Sequence, residues 1–186
     1  GQDHLASLSE VFTQLRRYNM RLNPEKCAFG VKWGKFLGFI LSSRGIEANP
    51  NKCQAILDMS SPKGLKEIQQ LTGRLAALSR FLSRAAEKSL PFFKVLKKAN
   101  EFEWTEECHE TFLKLKEYLS SPPVLTRPSP SEVIIVYLAI SDYAVGSVLV
   151  CEREREQHPV YFVSKALQGA ELRYPRLTSC YQQGKC

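Results

Sequence analysis

Residues 21–50 decide the fold, and they read RLNPEKCAFGVKWGKFLGFILSSRGIEANP. The run Lys35–Leu41 is bounded by Gly34 and by the turn residues Ser42–Gly45. This pattern indicates two short β-segments and a tight turn, which together form a hairpin. Gly38 takes a place where a strand normally carries a side chain, and this suits the close approach of another backbone.

Helical periodicity lies on both sides of this hairpin. Before it, Leu5–Leu22 carries apolar residues at helical spacing, and Asn23-Pro24 should end that helix. After it, Asn49 is suited to cap a helix that has Pro50 at its first position. Further helices are predicted over 64–81, 89–98 and 105–120.

A second β-region follows a linker rich in Pro and Ser at 127–130. Three strands are predicted there, over Val133–Ile140, Val145–Cys151 and Pro159–Ser164. The charged residues 152–156 form the turn between the last two. Because helices and antiparallel strands occupy separate parts of the chain, the fold class is predicted to be α+β. A domain boundary is expected near residue 100 or 122.

The positive charge is concentrated in one half of the chain. Between Arg16 and Lys98 there are 17 Lys and Arg against 5 acids, a local balance of +12, whereas from Pro122 to the end the count is 7 against 6. Such a field favours contact with a polyanion, since a basic surface releases the counterions of a phosphate-lined partner. A solvated basic surface without a partner is the alternative.

Composition is that of a soluble globular protein: 186 residues, 44% apolar and 24% charged. No apolar run approaches the roughly 20 residues that cross a bilayer, so no membrane partner is predicted. The chain begins with Gly and shows no secretory signal, so we expect a processed chain or part of a longer one. Its six cysteines lack C-x-x-C pairing and zinc-ligand spacing, which favours structural thiols in a reducing, intracellular compartment, cytoplasm or nucleus.

Four motifs carry a resemblance that runs in order along most of the chain. They are KEIQQLTGRLAALSRFLSRAAEKSLPFFKVLKK (66–98), FEWTEECHETFLKLKEYLSSPPVL (102–125), SDYAVGSVLV (141–150) and PVYFVSKAL (159–167). With the hairpin, they resemble the reverse transcriptase in the Pol polyprotein of plant gypsy-type (Metaviridae) LTR retrotransposons. The resemblance implies three regions. Residues 1–48 would be the end of the polymerase palm with the primer-grip hairpin, 49–100 a helical thumb, and 101–186 a leading helix and a truncated, degenerate RNase H-like domain.

The resemblance also implies a partner and the residues that contact it. The primer grip and thumb would bind a template–primer, an RNA/DNA hybrid or a DNA duplex, and the remainder of the Pol polyprotein would be the protein partner. Basic residues on the outside of a helical bundle can follow phosphates without reading sequence. The predicted nucleic-acid-binding residues are Lys35, Phe36, Leu37 and Gly38 in the hairpin and Arg74, Arg80 and Arg84 in the thumb. The alternative for each basic residue is a solvated surface charge.

No catalytic or metal-binding residues are predicted in this chain. Two-metal phosphoryl chemistry needs clustered carboxylates, but the three aspartates, Asp3, Asp58 and Asp142, are isolated from other acids in sequence. Aligned with the RNase H pattern, Ala139 replaces the first Asp, and the expected Glu falls near Thr178. We therefore expect the chain to be inactive alone and Mg²⁺ to belong to the parent enzyme. A non-catalytic nucleic-acid-binding remnant and a non-functional relic remain as alternatives.

Aromatic and histidine residues give weaker signals. Trp33 and Trp104 have the chemistry to stack on bases, but burial at a hairpin and at a helix start is favoured. The three histidines, His4, His109 and His158, are too far apart in sequence to indicate a triad or a metal site.

Overall fold

The computed structural model describes residues 2–98 and 102–173 and confirms the α+β class. The chain divides into two compact units between Gly34 and Lys35. The region boundaries at 48 and 100 stay predictions. The position near Thr178, where the RNase H pattern predicts a Glu, lies outside the described residues, and so do Cys180 and Cys186.

The first unit contains one long helix, α1 (Gln2–Arg17), which ends five residues earlier than the apolar pattern predicts. Asn19 adopts a left-handed conformation with φ of 51°. The Met20 N–H donates to the Leu15 carbonyl at 2.9 Å, and the Asn19 N–H donates to the Arg16 carbonyl at 3.1 Å. This pair of bonds is a Schellman motif, which satisfies the last carbonyls and stops the helix before the proline is reached.

The hairpin region forms a sheet of three strands rather than two. The strands are β1 (Gly34–Phe36), β2 (Phe39–Ser42) and β3 (Gly45–Glu47), in the order β1-β2-β3. Strand β2 pairs antiparallel with β3, and Ser42 lies opposite Gly45. Two turns of two residues each, at 37–38 and 43–44, connect the three strands. The sequence pattern predicts the run Lys35–Leu41 as one segment, but the turn Leu37-Gly38 divides it.

A helical bundle follows. Its helices are α2 (Pro50–Leu57), α3 (Leu65–Leu78), α4 (Ala85–Lys88), α5 (Leu90–Lys97) and α6 (Glu106–Ser120). Both predicted caps are confirmed: the Asn49 side chain accepts from the Asn51 N–H at 3.0 Å, and Thr105 Oγ1 accepts from the Cys108 N–H at 3.3 Å. The short helix α4 was not predicted. Within residues 2–98 and 102–173, no helix has both the length and the apolar character to cross a membrane.

One hydrophobic core joins α6 to the other helices. The predicted apolar face of α6 is buried, and so is most of that of α3. Trp104 stacks on Phe92 with ring centroids 5.9 Å apart and meets Phe112 edge-on at 6.0 Å. Lys116 reaches from α6 to α2, where its Nζ donates to the carbonyls of Leu57 at 2.7 Å and Met59 at 2.5 Å. These contacts place α6 in the same core as α2, α3 and α5.

The second sheet contains the three predicted strands; the first begins one residue later than expected, and the other two are longer than expected. They are β4 (Ile134–Ile140), β5 (Ala144–Arg153) and β6 (Glu156–Ala166), antiparallel in the order β4-β5-β6. The turn between β5 and β6 has only two residues, Glu154 and Arg155, with φ of 52° and 68°. Positive φ at both positions is the type I′ geometry, which matches the twist of the paired strands.

This sheet packs on the bundle through β6. Phe162 is packed against the helical core. The Ala86 N–H in α4 donates to Ser164 Oγ at 2.9 Å. On the bundle side, the Tyr118 hydroxyl donates to the Phe81 carbonyl at 2.8 Å and so holds the turn that faces the sheet.

The linker before β4 is tied to the end of β5 by an ion pair. Arg153 donates from Nε to Glu132 Oε1 at 2.6 Å and from Nη2 to Oε2 at 3.0 Å, and Nη2 also donates to the Arg127 carbonyl at 2.8 Å. The Ser129 N–H donates to the same carboxylate at 2.8 Å. The hydrogen bonds from Arg153, followed by that from Ser129, lower the pKa of Glu132 from 4.5 to about 2.

We expect Glu132→Gln to lower stability at neutral pH and to lose this effect in acid. The carboxylate binds its proton more weakly in the folded state, so its contribution is complete above pH 4.5 and disappears as the pH falls toward 2. The check is the melting temperature of both proteins between pH 7 and pH 2.5. The difference between them should shrink steadily below pH 4.5, whereas Glu152→Gln, which alters an exposed carboxylate, should show no such convergence. A constant difference across this range would contradict the role given to the ion pair.

Candidate nucleic-acid interface

The first candidate surface is the tip of the hairpin. Leu37 and Gly38 have φ of 49° and 82°, so they form a type I′ turn. Leu37 is 79% exposed and Phe36 is 59% exposed, which leaves two apolar side chains in solvent beside exposed Lys35. The type I′ turn therefore presents a bulky apolar side chain, that of Leu37, to the solvent at the tip of the hairpin.

Gly38 corrects the sequence prediction, because it lies in this turn and not within a strand. Its positive φ favours glycine, and the space above it is occupied: a Cβ there would lie 2.6 Å from Lys52 Nζ. The group that approaches Gly38 closely is therefore a lysine from α2. Lys52 Nζ also lies 5.9 Å from the centre of the Phe39 ring.

A groove between α2 and α3 adjoins this turn through Lys52. It has a volume of about 460 Å³. Small residues line it, Ala55 from α2 and Gly73 and Ala77 from α3. Its polar lining residues are Asn51, Lys52, Gln69, Gln70 and Arg74. No carboxylate is among the described residues that line this groove. Small side chains let another backbone approach closely, while the amides and cations can bond to phosphate or sugar oxygens.

Arg74 is only in part the outward-facing cation that the sequence predicts. Its Nη1 donates to the Ala55 carbonyl at 2.5 Å, near the end of α2, and the side chain is half-buried. A cation at that position interacts favourably with the helix C-terminus. Arg74 therefore holds α2 against α3 and shapes the groove that it lines.

Arg84 and Arg80 differ in what they contact. Arg84 has φ of 54° and forms two hydrogen bonds with Glu87, from Nε at 2.7 Å and from Nη2 at 2.6 Å. Its charge is thereby matched, which does not favour the predicted phosphate contact. Arg80 is exposed and lies over aromatic rings, and it has no carboxylate partner among the described residues.

The residues of the sheet do not fit a metal pair. Ala139, which stands at the predicted aspartate position, pairs with Gly146 across β4 and β5. Arg84 lies over Gly146, where a Cβ would be 3.5 Å from Arg84 Cγ. The side chain packed over this part of the sheet therefore belongs to an arginine and not to a carboxylate, and residues 2–98 and 102–173 contain no group of three or more His, Cys, Asp or Glu that could hold a metal.

Other sequence expectations have mixed outcomes. Trp33 was expected to be buried, but it is 63% exposed in the first unit, so that prediction is wrong. Trp104 is packed in the core as expected. The four cysteines in the described part of the chain, Cys27, Cys53, Cys108 and Cys151, are free thiols, and burial raises the pKa of Cys53.

Most of the groove residues were not predicted from the sequence. The predictions for α3 concerned its buried face and its basic residues on other faces, but not Gln69, Gly73 and Ala77. These three recur at a spacing of four, so they lie in one row along the helix. A row of small and amide residues on an exposed face is the signal from which the groove could have been predicted in part. Lys52 carried no such signal.

Comparison with known proteins gives a consistent result. Residues 104–179 match the model of the RNase H-like domain found in reverse transcriptase. The retrovirus-related Pol polyproteins from transposons 412 and 297 of Drosophila melanogaster are 32% and 33% identical over 90% and 92% of this chain, and the transposon Tf2-3 polyprotein of Schizosaccharomyces pombe is 29% identical over 92%. The chain spans only 13–16% of the length of these relatives.

Solved structures share the fold. A foamy viral protease–reverse transcriptase in complex with an RNA/DNA hybrid superposes with a TM-score of 0.76 at 21% identity, covering 98% of this chain and 25% of that one. The same enzyme in complex with double-stranded DNA gives a TM-score of 0.74 at 21% identity, covering 97% of this chain and 38% of that one.

The matched domain defines the class as a chain with the RNase H-like domain found in reverse transcriptase. More particularly, the chain corresponds to a segment of the Pol polyprotein of an LTR retrotransposon.

Proposed function

We propose that this segment binds the template–primer duplex of a retrotransposon reverse transcriptase and carries out no chemistry itself. The α2–α3 groove and the adjoining Leu37-Gly38 turn would form one surface for a nucleic-acid backbone. The primer-grip and thumb roles predicted for residues 1–48 and 49–100 belong to this proposal. The foamy viral relatives of known fold are complexes with an RNA/DNA hybrid and with double-stranded DNA, which supports this ligand class.

The single observation that carries the proposal is the composition of the groove. Small residues along it allow a sugar–phosphate backbone to approach, and the other described lining residues are amides and cations with no carboxylate among them. Such contacts position a duplex without reading its base sequence. A polymerase requires this independence from sequence, because it must hold any template. The +12 balance between Arg16 and Lys98 supplies the long-range attraction.

The RNase H-like sheet would serve as a support for this surface. Its residues do not fit a pair of metal ions, so we assign it no cleavage step. In the parent enzyme, Mg²⁺ would be held by carboxylates of other regions. The non-catalytic remnant is the second candidate function, favoured by the same groove, and it differs only in whether a polymerase accompanies the segment.

Three finer assignments complete the proposal. The parent element would be of the plant gypsy type, as the sequence motifs indicate. The remainder of the Pol polyprotein would be the protein partner. The exposed apolar side chains of the first unit, including Tyr18, Met20, Val31 and Trp33, favour such a protein contact. The free thiols favour a reducing intracellular compartment.

The test is to fill the groove. We expect Gly73→Leu to weaken binding of a labelled RNA/DNA hybrid by about tenfold or more, a loss of roughly 1.4 kcal/mol, because the new side chain occupies the space that the backbone needs. No atom lies within 4 Å of a Cβ at this position, so the fold tolerates the change. Fluorescence anisotropy at fixed salt measures the affinity.

Ala76→Leu is the matched control, since it adds similar bulk to an exposed position of the same helix outside the groove. It should bind like the wild type. Failure of the wild-type chain to bind any duplex, or equal affinities for Gly73→Leu and the wild type, would contradict the proposal.

A further inference from the structure

Three structural elements meet around one arginine. The guanidinium carbon of Arg80, in the turn after α3, lies 5.4 Å from the centre of the Phe39 ring in β2. It also lies 5.5 Å from the centre of the Tyr161 ring in β6. Lys52 Nζ, from α2, lies 5.9 Å from the same Phe39 ring. The bundle, the hairpin sheet and the RNase H-like sheet each contribute to this cluster, which we call the Arg80 cluster.

The two cations of the cluster remain available to a ligand. Neither Lys52 nor Arg80 forms an ion pair with a carboxylate in the described part of the chain. This distinguishes Arg80 from Arg84, which is paired with Glu87. Arg80 is exposed even though it contacts two rings, and Lys52 is half-buried.

An arginine on aromatic rings is well arranged to bind phosphate. The rings interact with the face of the guanidinium and limit its rotamers, while the N–H groups at its edge stay free for hydrogen bonds. Guanidinium groups match phosphate oxygens in bidentate geometry. Lys52 and Arg80 both lie within 6 Å of the centre of the same Phe39 ring, so both raise the positive potential at this part of the surface.

We propose that Lys52 and Arg80 form a composite phosphate site for one strand of a nucleic-acid duplex, with Phe39 and Tyr161 as its aromatic support. The inference rests on the proposed function and extends it to the RNase H-like sheet. Because Lys52 also lines the α2–α3 groove, the strand would pass from that groove onto β6. The sheet then takes part in nucleic-acid binding through Tyr161, although it lacks the carboxylates for cleavage.

Salt dependence tests the site. Each phosphate contact contributes about −0.9 to the slope of log K against log salt for duplex DNA. If each cation contacts its own phosphate along the strand, Arg80→Gln and Lys52→Gln should each make the slope for a DNA duplex less negative by about 0.9, and the double variant by about 1.8. Lys114→Gln, which removes an exposed lysine from α6 outside the Arg16–Lys98 region, is the matched control and should leave the slope unchanged.

The aromatic support has its own readout. Tyr161→Leu should weaken binding about two- to fivefold, since a cation–π contact at an exposed site contributes roughly 0.5–1 kcal/mol. Tyr161→Phe keeps the ring and should bind like the wild type. An arginine with a structural role alone would lower the melting temperature on substitution but would not change the salt slope.

The outcomes separate this inference from the proposed function. Absence of duplex binding by the wild-type chain would overturn both. Wild-type binding that Gly73→Leu weakens, combined with unchanged slopes in Arg80→Gln and Lys52→Gln, would overturn the composite site and leave the groove in place.

Discussion

Gly45→Ala is expected to lower the free energy of unfolding by about 3 kcal/mol or more. Gly45 begins β3 with φ of 138°, a conformation that residues with a Cβ rarely adopt. A Cβ there would lie 2.2 Å from the Leu125 carbonyl oxygen and 3.1 Å from its carbon. These are backbone atoms, so relief requires β3 and residue 125 to separate. The two hydrogen bonds between Ile46 and Leu125, both 2.8 Å, would then be lost.

Denaturant unfolding of the whole chain measures this effect. Gly73→Ala is a suitable control, because it adds the same methyl group in a helix interior with no atom within 4 Å of it. It should stabilise the protein by roughly 0.5–1 kcal/mol through helix propensity. Equal unfolding midpoints for Gly45→Ala and the wild type would show that β3 does not depend on this contact with Leu125.

Phe81→Ala is expected to cost about 3–5 kcal/mol, the usual range for deleting a buried phenyl ring. The Phe81 side chain is fully buried, and its ring lies 5.8 Å from that of Phe39. Its carbonyl accepts the Tyr118 hydroxyl, so the residue holds the turn that carries Arg80. With total stabilities of about 5–15 kcal/mol for a domain, this loss leaves little margin.

Phe93→Ala provides the comparison on another part of the bundle. Phe93 is 43% exposed, and its removal should cost about 1 kcal/mol or less. Both variants can be followed by thermal unfolding and by the fluorescence of Trp104, which lies in the core. Similar losses for the two phenylalanines would contradict the packing described around Phe81.

Local chemistry predicted much of the secondary structure correctly. Asn49 and Thr105 cap helices as expected, because the short polar side chain bonds to a backbone N–H within three residues. The apolar spacing of α6 identified its buried face, including Phe112 and Leu119. The end of α1 was predicted too late, since the Schellman motif at Asn19 acts before the proline does.

The candidate site could be predicted only in part. The exposed hairpin residues Lys35, Phe36 and Leu37 followed from the resemblance, whereas the basic region was predicted from the excess of Lys and Arg over acids. The partners of Arg74 and Arg84 could not be foreseen, because each guanidinium finds a carbonyl or carboxylate that only the folded chain brings near. Lys52 was overlooked for the same reason, since its position over Gly38 depends on how α2 meets the hairpin.

The sequence by itself determined the α+β class, the helix caps, the apolar faces and the likeness to retrotransposon Pol polyproteins. These depend on residue types and on spacings of a few positions, which act locally along the chain. Only the tertiary structure decided which cations remain free, where the groove opens between α2 and α3, and how Arg80 meets both Phe39 and Tyr161. Those outcomes depend on contacts between residues far apart in sequence, whose distances are set by the packing of the core.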